Sequence, residues 1–344
     1  MKFLSNENLL LAYKKAKKSR KYKSEVYLWD LNFEENIFKM KNDLISKKYV
    51  HSEYRKIILY DSKKRFIHSP VFRDHILHHM IYSVLYPVFD KKLIDTTYAC
   101  RKWYWAHKAI KYLSKSCNGL NDSNYYLKLD VSKYFYSINH EKLKNIIFKH
   151  IHDEDIRFAV SLVINSYETK NQFDYLFSED SKYRKNNNKW LPIWSIVSQL
   201  FANVYLHKLD DFIKHKLKIK TYLRYMDDFL LIWDKETLSF AKNEIIKFVY
   251  DELDLVINPK KCSFNPIKDG IKFVWYRIFN NKIYVWKTTK FKTNKFLDRL
   301  KVMDFSYFND DDKKKINSSL SSRFWTFKHS SFWLNYFSGR DLIK

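Results

Sequence analysis

The stretch LRYMDDFLLI, residues 223–232, places two adjacent carboxylates, Asp227 and Asp228, inside a run of mostly apolar and aromatic residues. The run is typical of a strand, a bend and a second strand. Burying two ionised carboxylates side by side is costly unless a positive partner lies near them, and Mg²⁺ prefers such hard oxygen ligands. A structural turn with two solvated aspartates is the alternative, although hairpin tips usually carry Gly or Asn. The pair alone leaves both interpretations open.

The composition indicates a basic globular protein. Of the 344 residues, 46% are hydrophobic and 18% are aromatic, which is enough for one large or two ordinary cores. Lys and Arg number 64 against 38 Asp and Glu, so the formal net charge is +26. Because the excess is spread along the chain, we expect a polyanionic partner, either nucleic acid or an anionic membrane surface. An AT-rich genome also favours lysine, so the charge supports this inference without deciding it.

The sequence argues against membrane insertion and against disulfide bonding. No apolar run approaches the length of a membrane span, and lysines interrupt the N-terminal segment MKFLSNENLLLAYKKAKK before a signal-peptide core forms. We therefore expect a cytoplasmic protein without a membrane partner. The three cysteines, Cys100, Cys117 and Cys262, are an odd number without a short paired spacing, which argues against a disulfide framework or a zinc site.

Helical and strand patterns alternate through one continuous architecture of the α+β kind, without an obvious linker. Residues 65–94 predict a short strand, a turn at Pro70 and a helix that ends before Pro87. The polar stretch SEDSKYRKNNNK, residues 178–189, is the clearest loop. Residues 191–217 predict a turn followed by a long amphipathic helix.

A further carboxylate precedes the aspartate pair. Residues 125–138, YYLKLDVSKYFYSI, predict a strand that ends at Asp130 and a turn into the next helix. Taken alone, Asp130 is equally suited to be a helix cap. A strand ending in Asp130 and a hairpin carrying Asp227 and Asp228 are, however, what a two-metal nucleotidyl transferase needs. In such enzymes two Mg²⁺ ions about 3.5–4 Å apart activate a 3′ hydroxyl and neutralise the leaving pyrophosphate.

The order of several motifs resembles that of reverse transcriptases of the group II intron-like superfamily, from about residue 55 to 290. KKRFIHSPVFRDHILHH at 63–79 resembles the first fingers block, TYACRKWYWAHKA at 97–109 the second, and LKLDVSKYFYSI at 127–138 the motif with the first catalytic aspartate. LPIWSIVSQLFANVYL at 191–206 resembles the template-clamping turn and helix, YMDD at 225–228 the catalytic hairpin, and INPKKCSF followed by FVWYRI the closing palm strands. Each motif is weak alone, but their number and order are specific.

This resemblance implies a right-hand polymerase of the α+β class, with fingers, a palm built on an antiparallel sheet, and a short helical thumb. By the same comparison the fingers comprise residues 1–120 and 141–189, the palm 121–140 and 190–285, and the thumb 286–344. The implied activity is RNA-directed DNA synthesis on an RNA template from a DNA or RNA primer, with dNTPs as substrates.

The catalytic residues implied by the resemblance are Asp130, Asp227, Asp228 and Lys261. Two Mg²⁺ ions would be held by the three aspartates together with Val131. Lys261 matches a lysine near the pyrophosphate, where it would act as a general acid. Read from the residues alone, a lysine within a run of lysines is more typical of exposed surface.

Five residues are implied in nucleotide binding: Arg65, Arg101, Phe135, Ile193 and Gln199. Arg101 would stack on or pair with the triphosphate through its planar fork, and Arg65 is a second candidate for that contact. Phe135 falls where the family places an aromatic gate that excludes a 2′ hydroxyl, although the residue alone favours a core aromatic.

The template-clamping turn and helix at 191–206 indicate which subtype of reverse transcriptase the chain resembles. Ile193 stands where intron-type enzymes usually have Gln, and Ser198-Gln199 ends the block. This pattern resembles reverse transcriptases of diversity-generating retroelements, which make frequent errors at adenines and work with a small basic accessory protein. Gln can hydrogen-bond near the incoming sugar and base pair whereas Ile cannot, so one source of discrimination is lost. Two alternatives stay open: an intron-derived or antiphage-defence reverse transcriptase, and a catalytically impaired RNA-binding protein of the same fold.

Tryptophan replaces glycine at five positions of the family pattern, namely Trp103, Trp105, Trp190, Trp194 and Trp275. The chain has 3 Gly and 10 Trp, whereas glycine averages about 7% of residues. We hypothesise that UGA codons read as glycine in the source have been translated as tryptophan. Sequencing these triplets tests the hypothesis: UGA is expected, and UGG at all five positions would contradict it and leave an obstructed nucleotide pocket.

Overall fold

Helices and antiparallel strands alternate along the chain, which confirms the predicted α+β class. The computed structural model describes residues 2–18, 20–60, 64–120, 123–167, 188–193, 195–279, 282–304 and 307–331. The helices are α1 (Asn6–Lys17), α2 (Ser24–Leu31), α3 (Phe33–Ile45), α4 (Phe72–Asp90), α5 (Ala106–Cys117), α6 (Tyr134–Ser137), α7 (His140–Phe148), α8 (Glu154–Asn165), α9 (Ile196–Tyr205), α10 (His207–Asp211), α11 (Lys235–Asp251), α12 (Lys287–Lys301) and α13 (Asp310–Lys328). The strands are β1 (Arg55–Tyr60), β2 (Lys64–Ser69), β3 (Tyr125–Asp130), β4 (Thr221–Tyr225), β5 (Asp228–Trp233), β6 (Ser263–Pro266), β7 (Ile271–Phe273), β8 (Tyr276–Phe279) and β9 (Lys282–Val285).

A four-stranded antiparallel sheet, here called the central sheet, lies in the order β4-β5-β3-β6. Successive side chains of a strand point to opposite faces, and in this sheet both faces are buried. Leu127 and Leu129 of β3 lie on one face, whereas Tyr126 lies on the other. The strands therefore read as nearly continuous apolar runs, which is why the polar residues at their ends are conspicuous.

Two hydrophobic cores cover the two faces of the central sheet. The larger core joins one face to helices α1, α4, α7, α8, α9 and α11. The smaller core joins the opposite face to α5 and to a second antiparallel sheet of β7, β8 and β9. Strands β1 and β2 form a separate antiparallel hairpin. Burying a large apolar side chain contributes roughly 1.5–3 kcal/mol, so these two layers fix the position of the sheet.

Helix α4 corrects the expectation that it would end before Pro87. The helix continues through Pro87 to Asp90. Proline removes one helical hydrogen bond and crowds the preceding turn. The buried side chains of Tyr86 and Phe89 lie on either side of the proline, and their packing offsets that cost.

The predicted polar loop, the cysteines and the helix lengths are compared with the structure in turn. Residues 178–187 of the predicted polar loop lie outside the described residues. The three cysteines are free thiols, of which Cys117 is buried, Cys262 is half-buried and Cys100 is exposed. Among the helices of the described ranges, none is both long and apolar enough to cross a membrane.

Candidate active site

The aspartate pair lies at a tight turn between β4 and β5, here called the aspartate turn (Tyr225–Asp228). Tyr225 and Asp228 pair across the hairpin, so Met226 and Asp227 form a two-residue loop. Met226 has a φ of 58°, in the left-handed region that hairpin tips usually fill with Gly. A non-glycine residue in this conformation costs about 1–2 kcal/mol. The turn is therefore strained, and its neighbours must hold it.

Three carboxylates meet at this end of the central sheet. Asp130, the last residue of β3, pairs directly with Asp228, the first residue of β5. The backbone N–H of Val131 donates to the carbonyl of Asp227 at 3.2 Å, which ties the aspartate turn to the strand beside it. The side chains of Asp130 and Asp228 are 10% and 23% exposed. The predicted residues are thus brought together in a largely buried position rather than in bulk water.

Two lysines neutralise two of these carboxylates. Lys261 Nζ lies 2.8 Å from both oxygens of Asp130. Lys128 Nζ lies 2.8 Å from Asp228 Oδ2. Sequence reasoning missed Lys128, although a signal was present: it stands two residues before Asp130 and so shares its face of the sheet.

The electrostatics of the site favour a cation. Burial raises the pKa of Asp227 to about 6, and the negative charge of Asp130 adds to the effect. Burial also raises the pKa of Asp228, against the opposing influence of Lys128. Asp228 Oδ1 is enclosed without a hydrogen-bond partner in the described structure.

This donor set fits a hard divalent cation, since it offers carboxylate oxygens, one of them enclosed and unsatisfied. Within the described ranges, however, no three acidic, histidine or cysteine side chains converge closely enough to form a ready-made metal site. In the structure Asp130 and Asp228 each face a lysine instead. A bound cation would compete with Lys128 and Lys261 for the same oxygens.

The clamping turn lies next to the segment that follows Asp130. Leu191 N–H donates to the Phe135 carbonyl at 2.8 Å. Beyond the turn, Ser195 Oγ is hydrogen-bonded to Nδ1 of the buried His78 at 2.8 Å. Phe135 and Ile193 are both half-buried on this connected stretch. Their predicted roles, and that of Gln199 in the first turn of α9, stay predictions.

Arg101 is engaged inside the protein. Its guanidinium pairs with Asp90 at 2.8 Å and also donates to the carbonyls of Asp90, Ile94 and Thr97. A triphosphate would have to replace some of these partners. Arg65 belongs to β2, but its side chain lies outside the described residues. Nucleotide binding by either arginine stays a prediction.

Comparison with known protein families shows the family to which this chain belongs. The family model described as reverse transcriptase (RNA-dependent DNA polymerase) matches residues 46–278, more than half of the chain. The chain belongs to the reverse transcriptase family. Its fold is accordingly the expected right-hand polymerase fold, and this family uses divalent metal ions.

Similar curated proteins come from introns. The group II intron-encoded protein LtrA of Lactococcus lactis subsp. cremoris is 21% identical over 311 residues, covering 71% of this chain and 50% of that protein. An uncharacterized 91 kDa protein in the cob intron of Schizosaccharomyces pombe is 25% identical over 144 residues, covering 42% of this chain and 16% of that protein. This reverse transcriptase therefore spans half or less of the length of these relatives.

Solved structures of telomerase from Candida tropicalis are also similar. The apo enzyme has a TM-score of 0.49 at 13% identity, covering 84% of this chain and 62% of that chain. The complex with a fragment of telomeric RNA has a TM-score of 0.48 at 12% identity, covering 84% and 57%.

The tryptophans expected at glycine positions differ in backbone conformation. Trp103 and Trp190 have φ values of 67° and 107°, in the region that favours glycine. Trp105 has a φ of −98°, and in the β7–β8 hairpin the positive φ falls on Val274 rather than Trp275. Trp194 lies outside the described residues. The backbone conformation therefore supports the hypothesis that the codons for Trp103 and Trp190 are read as glycine in the source.

Replacing Asp227 by Asn is expected to stabilise this reverse transcriptase at pH 7.5 in the absence of divalent metal. The ionised form is penalised by burial, so removing the charge should raise the free energy of unfolding by roughly 1–3 kcal/mol. Because folding raises the pKa of Asp227 to about 6, the advantage of Asn should fade as the pH drops from 6 toward 4. Thermal melts across this pH range measure the effect. Asp211→Asn, at a half-exposed position, is the control, and a lower melting temperature for Asp227→Asn would contradict the prediction.

Glycine at Trp103 is expected to be more stable than alanine. Both substitutions remove the same exposed ring, but only glycine relieves the positive φ, so the difference should be about 1 kcal/mol in favour of glycine. The same pair at Trp275, whose φ is not positive, should show no advantage for glycine. Denaturant unfolding of the four variants compares them, and equal stabilities at Trp103 would count against the glycine reading.

Proposed function

We propose that this chain is an RNA-directed DNA polymerase that copies a retroelement RNA into cDNA. The observation that carries the proposal is that Asp130, Asp227 and Asp228 occupy neighbouring backbone positions at one end of the central sheet, in a member of the reverse transcriptase family. Facing carboxylates cost free energy in a half-buried position, and a phosphoryl-transfer site is a function that uses them.

The chemistry assigns a role to each of these side chains. Two Mg²⁺ ions held by Asp130, Val131, Asp227 and Asp228 would promote ionisation of the primer 3′ hydroxyl and neutralise the departing pyrophosphate. Asp130 and Asp228 are fixed opposite each other by the strand register, so their spacing does not depend on a flexible loop. Lys261 is half-exposed beside Asp130, where it would donate a proton to the pyrophosphate.

Nucleotide selection would be the task of the neighbouring segments. Phe135 would exclude the 2′ hydroxyl of a ribonucleotide, and Ile193 and Gln199 would contact the nascent base pair. Arg65 and Arg101 would bind the triphosphate, Arg101 after exchanging some of its present partners. The hydrogen bond between Leu191 and Phe135 supports the grouping of Phe135 with Ile193, because it joins the two segments that carry these two side chains.

The domain division and the binding partners belong to the same proposal. Residues 1–120 and 141–189 would form the fingers, 121–140 and 190–285 the palm, and 286–344 the thumb. An RNA template, a DNA or RNA primer and dNTPs would be the ligands. With a net charge of +26, the protein should bind nucleic acid with a steep dependence on salt.

We further propose that the enzyme serves a diversity-generating retroelement, assisted by a small basic accessory protein. The support is Ile193, since an aliphatic side chain in the clamping turn cannot donate a hydrogen bond to the base pair or sugar. The expected consequence is frequent misincorporation opposite template adenines.

Primer extension on an RNA template in the presence of Mg²⁺ tests the polymerase proposal. Extension by the wild type should fall by at least about 1,000-fold when Asp227 and Asp228 are both changed to Asn, because the cation ligands are lost. Asp211→Asn, away from the aspartate turn, should retain activity. If the wild type binds RNA but extends no primer, even with accessory protein and cognate RNA supplied, the protein is an RNA-binding member of the family instead.

Ile193→Gln is expected to lower the error rate opposite adenine. Restoring a hydrogen-bonding side chain should improve discrimination by roughly 1–2 kcal/mol, a factor of about 5–30. Sequencing of cDNA made by both enzymes from one template measures the rates, with Ile193→Leu as the aliphatic control. Equal error rates for the Gln and Leu variants would contradict the assignment.

A further inference from the structure

A buried ion pair lies directly beneath the aspartate turn. The side chains of Arg224 and Asp210 are completely buried. Arg224 Nε and Nη2 donate to the two Asp210 oxygens at 2.7 and 2.6 Å, a bidentate arrangement. Burial lowers the pKa of Arg224, but the Asp210 carboxylate more than offsets this effect and raises it, so the guanidinium stays charged.

The other donors of Arg224 reach the aspartate turn and helix α9. Nη1 donates to the Met226 carbonyl and to Asn203 Oδ1, both at 3.1 Å, and Nη2 also donates to the Asn203 carbonyl at 3.3 Å. Together with the two bonds to Asp210, all five N–H groups of the guanidinium are engaged. One rigid planar group therefore fixes the distance between the aspartate turn, α9 and α10.

The same network holds the chain segment that leads to Arg101. Arg224 N–H donates to the Thr96 carbonyl, and Tyr98 N–H donates to the Arg224 carbonyl, each at 2.9 Å. Thr97 Oγ1 donates to Asp210 Oδ2 at 3.2 Å. The segment thus lies alongside β4 as a short parallel extension of the central sheet.

Stability alone does not account for this arrangement. Desolvating two charges costs about as much as their attraction returns, and replacing a buried pair by apolar residues is often neutral or stabilising. A strained backbone, by contrast, persists only where its surroundings over-determine it. Met226, at a φ of 58°, is such a position, and Arg224 holds its carbonyl.

We propose that Arg224, oriented by Asp210, is a positioning residue of the polymerase. Its hydrogen bond to the Met226 carbonyl holds the aspartate turn in the left-handed conformation, and this places Asp227 beside Asp130. Asp210 acts one step further away, by keeping the guanidinium charged and fixed. The inference rests on the proposed polymerase function.

The test removes the ion pair without leaving a lone buried charge. The double variant Arg224→Met, Asp210→Leu is compared with Tyr222→Phe, which loses a 2.6 Å hydrogen bond to Asp210 in the same buried network without touching the turn. A third protein adds Met226→Gly to the double variant, because glycine adopts positive φ without strain. Met226→Gly alone provides its reference.

Two measurements are made on each protein. Primer extension should show kcat of the double variant reduced by about 100-fold with KM for dNTP changed by less than about 3-fold, since a displaced carboxylate slows chemistry more than binding. Hydrogen exchange without substrate should be about 10-fold faster for the amides of residues 223–229 and unchanged in α11. Tyr222→Phe should leave both kcat and hydrogen exchange near the wild-type values. Adding Met226→Gly to the double variant should raise its kcat by at least about 10-fold.

Several results would overturn the proposal. A folded double variant with wild-type kcat and exchange would do so, as would a failure of Met226→Gly to restore activity. If the double variant does not fold, Arg224→Lys is measured in its place, because lysine keeps the positive charge but lacks the planar guanidinium that makes several hydrogen bonds at once. Wild-type kcat and wild-type hydrogen exchange in Arg224→Lys would exclude the positioning role. Exchange is read without catalysis, so a wild type that extends no primer contradicts only the polymerase function.

Discussion

Repulsion among carboxylates at one end of a buried sheet is the constraint on which the rest of the structure depends. The register of β3 and β5 forces Asp130 and Asp228 to face each other, and the aspartate turn adds Asp227. Such a group is tolerable only if positive charge is supplied nearby. The chain supplies Lys128 from within β3 and Lys261 from the stretch before β6. Both lysines can give way to a cation, because side chains that pair through flexible stems are easily displaced.

Local patterns foretold much of this arrangement. Alternation of apolar residues located β3 and its end at Asp130, and the DD pair located the hairpin. These features depend on neighbouring residues and can therefore be read directly from the chain. The continuation of α4 through Pro87 could not be read in this way, because it depends on the packing of Tyr86 and Phe89 against distant elements.

Contacts between distant residues were also beyond sequence reasoning. Lys261 lies 131 positions from the aspartate it pairs with, and only the family resemblance suggested that it belongs to the site. Arg224 stands in the opening motif itself, yet nothing in that motif shows that Asp210 neutralises it. Arg101 was expected to bind a triphosphate, whereas in the folded chain it pairs with Asp90 and donates hydrogen bonds to three backbone carbonyls. Charged side chains have many possible partners in a sequence, and only the tertiary structure selects among them.

The pairing of residues 96–98 with β4 has a consequence for how copies of the protein meet one another. An open sheet edge presents unpaired N–H and C=O groups that can recruit a strand from another molecule. Here the hydrogen bonds with Thr96 and Tyr98 occupy the N–H and C=O of Arg224 on the β4 edge, and the opposite edge strand, β6, is four residues long and ends in Pro266. Proline has no amide hydrogen to offer a further strand. These features make both margins of the central sheet poorer templates for intermolecular β-pairing, which protects an apolar sheet against aggregation.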